Sequence, residues 1–234
     1  MLNHIVIMGR LTRDPELRTT QSGVSVTSFS DLAGKTVYVP AQNPTFIFTD
    51  LCKKNGLVPG TDITIDSTSY AQPANLRDAV AAGEVDIAVL PEPMVTIAIS
   101  TATKNNIKIN NALDLTAEWD KVNAKGSLAQ GCIVVRTEFL EKYPETVKEF
   151  LAEYKASIEY LSTNTADAAA MIEANGIFAK AAIAEKAIPK CNVCYLDGAA
   201  MKSAMETYLG VLYSINPNAV GGKLPEADFY YIAE

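Results

Sequence analysis

The sequence contains one histidine, His4, and four cysteines among 234 residues. A chain of this length can bury a core without disulfides, and four cysteines do not make a disulfide framework. Cys191 and Cys194 form a single CxxC pair, with no second pair and no histidine near it in the sequence. Because a zinc site needs more ligands than this, we interpret the pair as structural, with redox or metal chemistry as the alternative, and expect no cofactor.

Catalytic motifs are equally scarce. A nucleophile paired with a histidine would have to use His4, at the start of the chain. The sequence has no glycine-rich phosphate loop and no paired carboxylates at a useful spacing. Asp31 and Glu92 are an acid and a base in principle, but no pattern brings them together. We therefore predict that the protein is not an enzyme.

No apolar run approaches the roughly 20 residues of a membrane span. The first ten residues have a short apolar run but neither a basic leader nor a small-residue cleavage site, so we expect the chain as written to stay in the cytosol. The net charge of −7 makes nucleic acid an unexpected partner for the chain as a whole. With 48% hydrophobic and 20% charged residues, the composition indicates a globular protein.

Residues 31–93 alternate between strand and helix patterns. Strands are predicted at 35–39, 63–65 and 85–90, and the helices between them end at Asn55-Gly56 and at Gly83. Because connections between parallel strands are right-handed crossovers, this βαβαβ order predicts an α/β fold with a parallel sheet.

Each strand is followed by a loop with polar or proline residues, at the edge where open α/β sheets bind ligands. Both helices begin with a proline behind an amide or hydroxyl residue, as helix N-termini do. The predicted ligand-binding residues are Gln42, Asn43, Pro44, Thr45 and Phe46 in the first loop, Ser67, Ser69 and Tyr70 with Thr68 in the second, and Glu92 and Pro93 in the third. Free N–H groups at these helix ends suit an anionic or polar ligand.

Each loop also has a purely structural interpretation. Asn43 and Pro44 fit an ordinary N-cap followed by proline at the first helical position. The hydroxyl groups of the second loop fit a capping loop, and Glu92 fits the first turn of the next helix. Trp119, the only tryptophan, could stack on a ligand, but we favour a core position under residues 112–122.

The second half of the chain has helical periodicity. Helices are predicted over 138–161 with a new start at Pro144, and over 166–174, 178–187 and 198–215. Apolar stripes on these helices are typical of core packing. The apolar faces of these helices need a partner. They can pack against each other, against the first 30 residues or against a second chain, so a homodimer is one expectation.

The first 30 residues carry three of the five arginines, Arg10, Arg13 and Arg18. The run GRLTRDPELR at 9–18 and the flanking residues resemble the opening of bacterial single-stranded-DNA-binding proteins. The resemblance implies the first strands of an OB-fold, and a DNA-binding module is the alternative function. The aromatic and basic pattern stops after Phe29, however, and we favour a solvated basic arm over phosphate contacts.

Residues 31–234 resemble solute-binding proteins of ABC importers, in the branch for nitrate, sulfonate and thiamine precursors. The resemblance is carried by the segments at 31–39, 83–93 and 134–145. It implies a periplasmic-binding-protein-like fold of type II, with two α/β lobes that close on a small solute, and delivery to an ABC permease. Members of this family are periplasmic proteins or cell-surface lipoproteins.

By this resemblance the chain divides into three parts. Residues 1–30 are the DNA-binding-protein fragment, 31–130 a complete second lobe, and 131–234 a crossover with the mainly helical remainder of an incomplete first lobe. Gly131 and Cys132 fall near the crossover, where the family places hinge and cleft backbone. The join near residue 30 therefore has the character of a chimera, for which we expect weakened ligand binding.

Overall fold

A five-stranded sheet organises the first half of the chain, with strand order β3-β2-β4-β1-β5. The computed structural model describes residues 26–129 and 131–232, together with the backbone of residues 2–8. The strands are β1 (Leu2–Met8), β2 (Thr36–Tyr38), β3 (Thr64–Asp66), β4 (Ile87–Pro91) and β5 (Ile109–Asp114). The predicted α/β unit is confirmed, because β2 runs parallel to both β3 and β4.

The sheet is nevertheless mixed rather than purely parallel. β1 lies between β4 and β5 and runs antiparallel to both. This strand stands outside the βαβαβ unit, so no crossover helix forces it to run parallel with its neighbours. β5 was not predicted, because Asn110 and Asn111 at its centre have low strand propensity.

The segment that resembles DNA-binding proteins thus contributes a strand to the same sheet as the predicted second lobe. The side chains of Arg10, Arg13, Arg18 and His4 lie outside the described residues. A domain boundary near residue 30 stays a prediction.

The helices are α1 (Asn43–Lys54), α2 (Pro73–Ala82), α3 (Met94–Lys104), α4 (Leu115–Val122), α5 (Thr137–Lys142), α6 (Pro144–Thr163), α7 (Thr165–Ala174), α8 (Ala181–Ala187) and α9 (Gly198–Ile215). The predicted restart at Pro144 and the predicted extent of α9 are both confirmed. Gly83 closes α2 in the left-handed conformation (φ 81°), which glycine adopts without a steric cost. Among the described residues, no helix is both long and apolar enough to cross a membrane.

Two apolar cores cover the two faces of the sheet. On one face Phe48 of α1, Trp119 of α4 and Tyr208 of α9 pack against Val37. On the other face, residues of α2 and α3 such as Leu76 and Val95 pack against Leu90. The sheet therefore lies between two helical layers, with the C-terminal helix α9 in the first of them.

The remaining C-terminal elements are more open. Residues 131–136 belong to neither a helix nor the sheet, and each of them is exposed. Helix α5 buries no residue, and α6 buries only Val147 and Ile158 along 20 residues. This half of the chain thus leaves apolar side chains in contact with solvent.

Candidate functional site

The chain turns to opposite faces of the sheet after β2 and after β4, which are neighbouring strands. β2 leads into α1 on one face, whereas β4 leads into α3 on the other. The loops that follow these strands therefore diverge, and ligands of open α/β sheets bind at such a switch point. All three predicted ligand loops follow strands of this parallel set.

The first loop carries an unusual backbone conformation. Gln42 precedes α1 with φ 67° and ψ −129°, a conformation that side chains other than glycine rarely adopt. The N-cap is therefore Gln42, one residue before the predicted Asn43, and its side chain makes no capping bond. The Thr45 hydroxyl donates to the Pro40 carbonyl at 2.8 Å, which fixes the turn. Gln42 and Asn43 are exposed, whereas Pro44, Thr45 and Phe46 are half-buried.

Asn43 connects this loop to the C-terminal half of the chain. Its side chain lies close to the hydroxyl of Tyr208, a buried residue of α9. Burial raises the pKa of Tyr208 to about 12, while the nearby Asn43 side chain acts in the opposite direction. The position of this predicted ligand residue therefore depends on α9.

In the second loop the hydroxyl groups are held by Asp66, the last residue of β3. One carboxylate oxygen of Asp66 accepts from the backbone N–H groups of Thr68 and Ser69, both at 2.9 Å, and the other accepts from the Ser69 hydroxyl at 2.6 Å. These bonds, led by the Ser69 hydroxyl, lower the pKa of Asp66 to about 2. Ser67 is half-buried and Ser69 is exposed. The capping interpretation thus accounts for Thr68 and Ser69.

Tyr70 points along the sheet rather than over its edge. Its ring packs edge-on against Tyr38 at a centroid distance of 5.7 Å. Its hydroxyl lies 3.5 Å from the carboxylate of Glu84, which precedes β4. The structure therefore places the Tyr70 hydroxyl beside Glu84, toward the amino end of β4.

The first two loops are joined to each other by their backbones. The N–H of Ala41 donates to the carbonyl of Ala71 at 3.0 Å. This bond brings the N-termini of α1 and α2 to the same edge of the sheet. Because the first N–H groups of a helix have no acceptor within the helix, those of Asn43, Thr45 and Ala74 are donors aimed at this edge.

The third loop contains a buried carboxylate. Glu92 is 5% exposed, and its carboxylate accepts from the N–H of Thr96 in the first turn of α3 at 3.2 Å. Pro93 precedes α3 and is half-buried. Burial raises the pKa of Cys191, and the nearby Glu92 carboxylate raises it further. The C-terminal segment that contains Cys191 therefore lies close to this loop. Glu92 thus lies two residues before α3 and not in its first turn, where the structural alternative predicted it, and its carboxylate instead accepts from a first-turn N–H.

Trp119 is fully buried, as the favoured interpretation predicted. Its indole N–H donates to the Ser127 hydroxyl at 2.8 Å, and its ring centroid lies 6.3 Å from that of Tyr208. Sequence reasoning missed Asp66 and Tyr208. The run of hydroxyl residues after Asp66 is a typical turn signal that would have found it, whereas the position of Tyr208 on α9 carries no such signal.

A large apolar groove lies in the C-terminal half and has a volume of about 680 Å³. We call it the C-terminal groove. Its walls are residues 131–135, α6, the 192–197 loop and α9, with Phe150, Tyr154 and Tyr195 among the aromatic members. Gly131 and Cys132 therefore line this groove rather than the sheet edge. Among the described residues no cluster of three potential ligands could hold a metal ion.

The three-layer α/β arrangement places three polar loops at the carboxyl edge of its parallel strands, where open α/β sheets bind ligands. The model of the family described as "NMT1/THI5 like" matches residues 4–168, more than half of the chain. The chain belongs to this family of solute-binding protein domains, which confirms the predicted family and the expectation of a non-catalytic protein.

Solved structures share the fold. An ABC transporter protein from Parabacteroides distasonis superposes with a TM-score of 0.70 and 22% identity, over 100% of this chain and 70% of its own. The periplasmic aliphatic sulphonate binding protein SsuA of Escherichia coli gives a TM-score of 0.66 and 14% identity, over 95% of this chain and 66% of its own. The type II periplasmic-binding-protein architecture is thus confirmed. The cellular location of this chain stays a prediction.

A second similarity is short. Single-stranded DNA-binding protein 1 of Staphylococcus aureus is 64% identical over 36 residues, which are 15% of this chain and 23% of that protein. The matched segment therefore spans about a quarter of the length of the curated relatives that the chain matches. This finding confirms the resemblance seen at the start of the sequence.

Proposed function

We propose that the chain is the substrate-binding component of an ABC importer. It captures a small polar or anionic solute at the carboxyl edge of β2 and β3. The observation that carries the proposal is the bond between Ala41 and Ala71, which holds the N-termini of α1 and α2 together at that edge. Two helix ends in one place combine free N–H donors with the positive ends of two helix dipoles.

Sulfonates are the first ligands to test. A sulfonate group offers several acceptor oxygens and one negative charge, which matches a site made of N–H donors. One structural relative is an aliphatic sulphonate binding protein, and another, from Xanthomonas axonopodis, is an alkanesulfonate-binding protein bound to MOPS. For this chain the same chemistry follows from the helix ends and not from the likeness alone.

The proposed binding is weak. Gln42, Asn43 and Ser69 are exposed, so a ligand at this edge keeps much of its surface in water. Specific small-molecule sites bury most of the ligand surface. A one-sided site buries less of it and therefore gains less binding free energy. We expect dissociation constants in the millimolar range, about −4 kcal/mol of binding free energy, and an ABC permease as the partner that receives the solute.

Isothermal titration of the whole chain with MOPS and with methanesulfonate tests the proposal, with ethanolamine as the oppositely charged control. Ala74→Pro removes one donor at the second position of α2, where proline is tolerated, and Ala74→Gly keeps that donor as a matched control. We expect sulfonate binding that is weakened several-fold by the proline and much less by the glycine. Equal affinities for the two variants, or tighter binding of ethanolamine, would contradict it.

Single-strand DNA binding is the second candidate, and it is favoured by the 36-residue similarity alone. Against it, β1 pairs with β4 and β5 in the α/β sheet, so this strand is not free to build a barrel. Titration with oligo-dT at low and high salt separates the two functions. Micromolar affinity with a steep salt dependence would favour the DNA-binding function.

A further inference from the structure

Residues 131–136 form an exposed segment of strand-forming composition. Ile133, Val134 and Val135 are β-branched, and Val134 is 77% exposed. Among the described residues, no backbone hydrogen bond joins residues 131–135 to another segment. Unpaired N–H and C=O groups beside β-branched side chains are a template for strand pairing.

The same segment is one wall of the C-terminal groove. The large exposed apolar side chains that line this groove are Ile133, Val134, Val135, Phe139, Phe150, Tyr154, Val193 and Leu196. A contiguous apolar surface of this kind marks a protein contact site. A single incoming strand can thus pair with the backbone of residues 131–135 and bury apolar side chains in the groove at the same time.

Charge indicates which strand would fit. The one charged side chain among the described lining residues is the carboxylate of Asp197. Residues 131–135 are uncharged, and Arg136, at the end of the same segment, is exposed and forms no ion pair within the described part of the chain. An uncharged strand that ends in an arginine complements an apolar groove with a single carboxylate.

We propose that the occupant is the same segment of a second copy of this chain, paired antiparallel about a two-fold axis through Val134. In that register Val134 faces itself, Ile133 faces Val135, and Arg136 faces Cys132 of the other copy. Because Cys132 lines the groove, Arg136 of each copy lies at the groove of the other copy, which contains Asp197. The pairing is self-complementary, and it places no like charges opposite each other.

Sedimentation of the whole chain over a range of concentrations tests the interface. We expect a concentration-dependent species of twice the 25.1 kDa monomer mass. Val134→Lys places two cations face to face and should weaken the dimer at least tenfold. Val58→Lys, at a 56% exposed valine outside the groove, is the matched control and should leave the dimer unchanged. A monomer at all concentrations, or equal effects of the two lysines, overturns the proposal.

The register needs its own measurement. In a background with the four native cysteines replaced by serine, Val134→Cys should cross-link to itself under mild oxidation, and Val58→Cys should not. Asp197→Lys should weaken the dimer more than Asp228→Lys, which changes an exposed carboxylate outside the groove. A dimer that forms without the cross-link, or that tolerates Asp197→Lys, rules out this strand pairing.

Discussion

The side chain of Asn43, in the first turn of α1, lies close to the hydroxyl of Tyr208 on α9. The two residues are separated by most of the chain, and this proximity joins the proposed ligand edge to the C-terminal helices. Tyr208 also contacts the ring of Trp119, so α9 is anchored by both a polar and an aromatic contact. The ligand edge is therefore not independent of the second half of the chain.

Tyr208→Phe tests this connection, because it removes the hydroxyl and keeps the ring. We expect a loss of about 1 kcal/mol in the free energy of unfolding, the usual net contribution of one hydrogen bond. At this chain length that corresponds to a fall in Tm of about 2–4 °C. Tyr213→Phe, at an exposed tyrosine of the same helix, is the control. Equal melting temperatures for the two variants would show that the Tyr208 hydroxyl contributes nothing to stability.

Acid stability reports on the loop after β3. Asp66 has a folded-state pKa of about 2, below its ordinary value of 3.8, because the loop donates hydrogen bonds to the carboxylate. A carboxylate with a lowered pKa stabilises the folded state above pH 4, and this contribution is lost as the pH falls toward 2. The midpoint of urea unfolding, measured from pH 5 to pH 2, should fall along that range.

Asp66→Asn should flatten this part of the pH profile, since the amide does not titrate. Asp228→Asn changes an exposed carboxylate in a short C-terminal turn and serves as the comparison. If the Asp66 variant keeps the full acid dependence, the lowered pKa of Asp66 is not its source.

The buried indole gives a third test. Trp119 is the only tryptophan and is fully buried, so its fluorescence reports on the core that α4 shares with α9. Ser127→Ala leaves the indole N–H without its acceptor, which should cost about 1–3 kcal/mol of unfolding free energy. Ser214→Ala, which removes a hydroxyl bonded to its own helix, should cost less. Chemical unfolding followed by tryptophan emission measures both variants.

Local patterns predicted the elements well where periodicity and end signals agreed. The prolines at the start of α2 and α6 and the glycine after α2 mark ends that the structure reproduces. β5 was not predicted, because its asparagines have low strand propensity and the strand is stabilised by pairing with β1. Pairing between distant segments is a property of the whole fold, and no local pattern records it.

The same distinction applies to the site. The loops follow from strand order, so Gln42, Ser69 and Glu92 could be named from the sequence. Which way a side chain turns depends on its tertiary neighbours. Tyr70 turns toward Glu84, and Asn43 lies close to Tyr208, because those partners are brought close by packing that the sequence does not display locally.

Backbone strain at Gln42 gives the last prediction. A residue other than glycine with φ 67° and ψ −129° carries a conformational cost that glycine does not, and such strain concentrates at functional sites. Gln42→Gly should therefore raise the unfolding free energy by about 1 kcal/mol. Asn106→Gly is the matched control, because asparagine tolerates its left-handed φ of 57° and should gain less. If the Gln42 side chain takes part in binding, the glycine variant combines a higher Tm with weaker sulfonate binding. A higher Tm with unchanged binding would show that the turn, and not the side chain, serves the site.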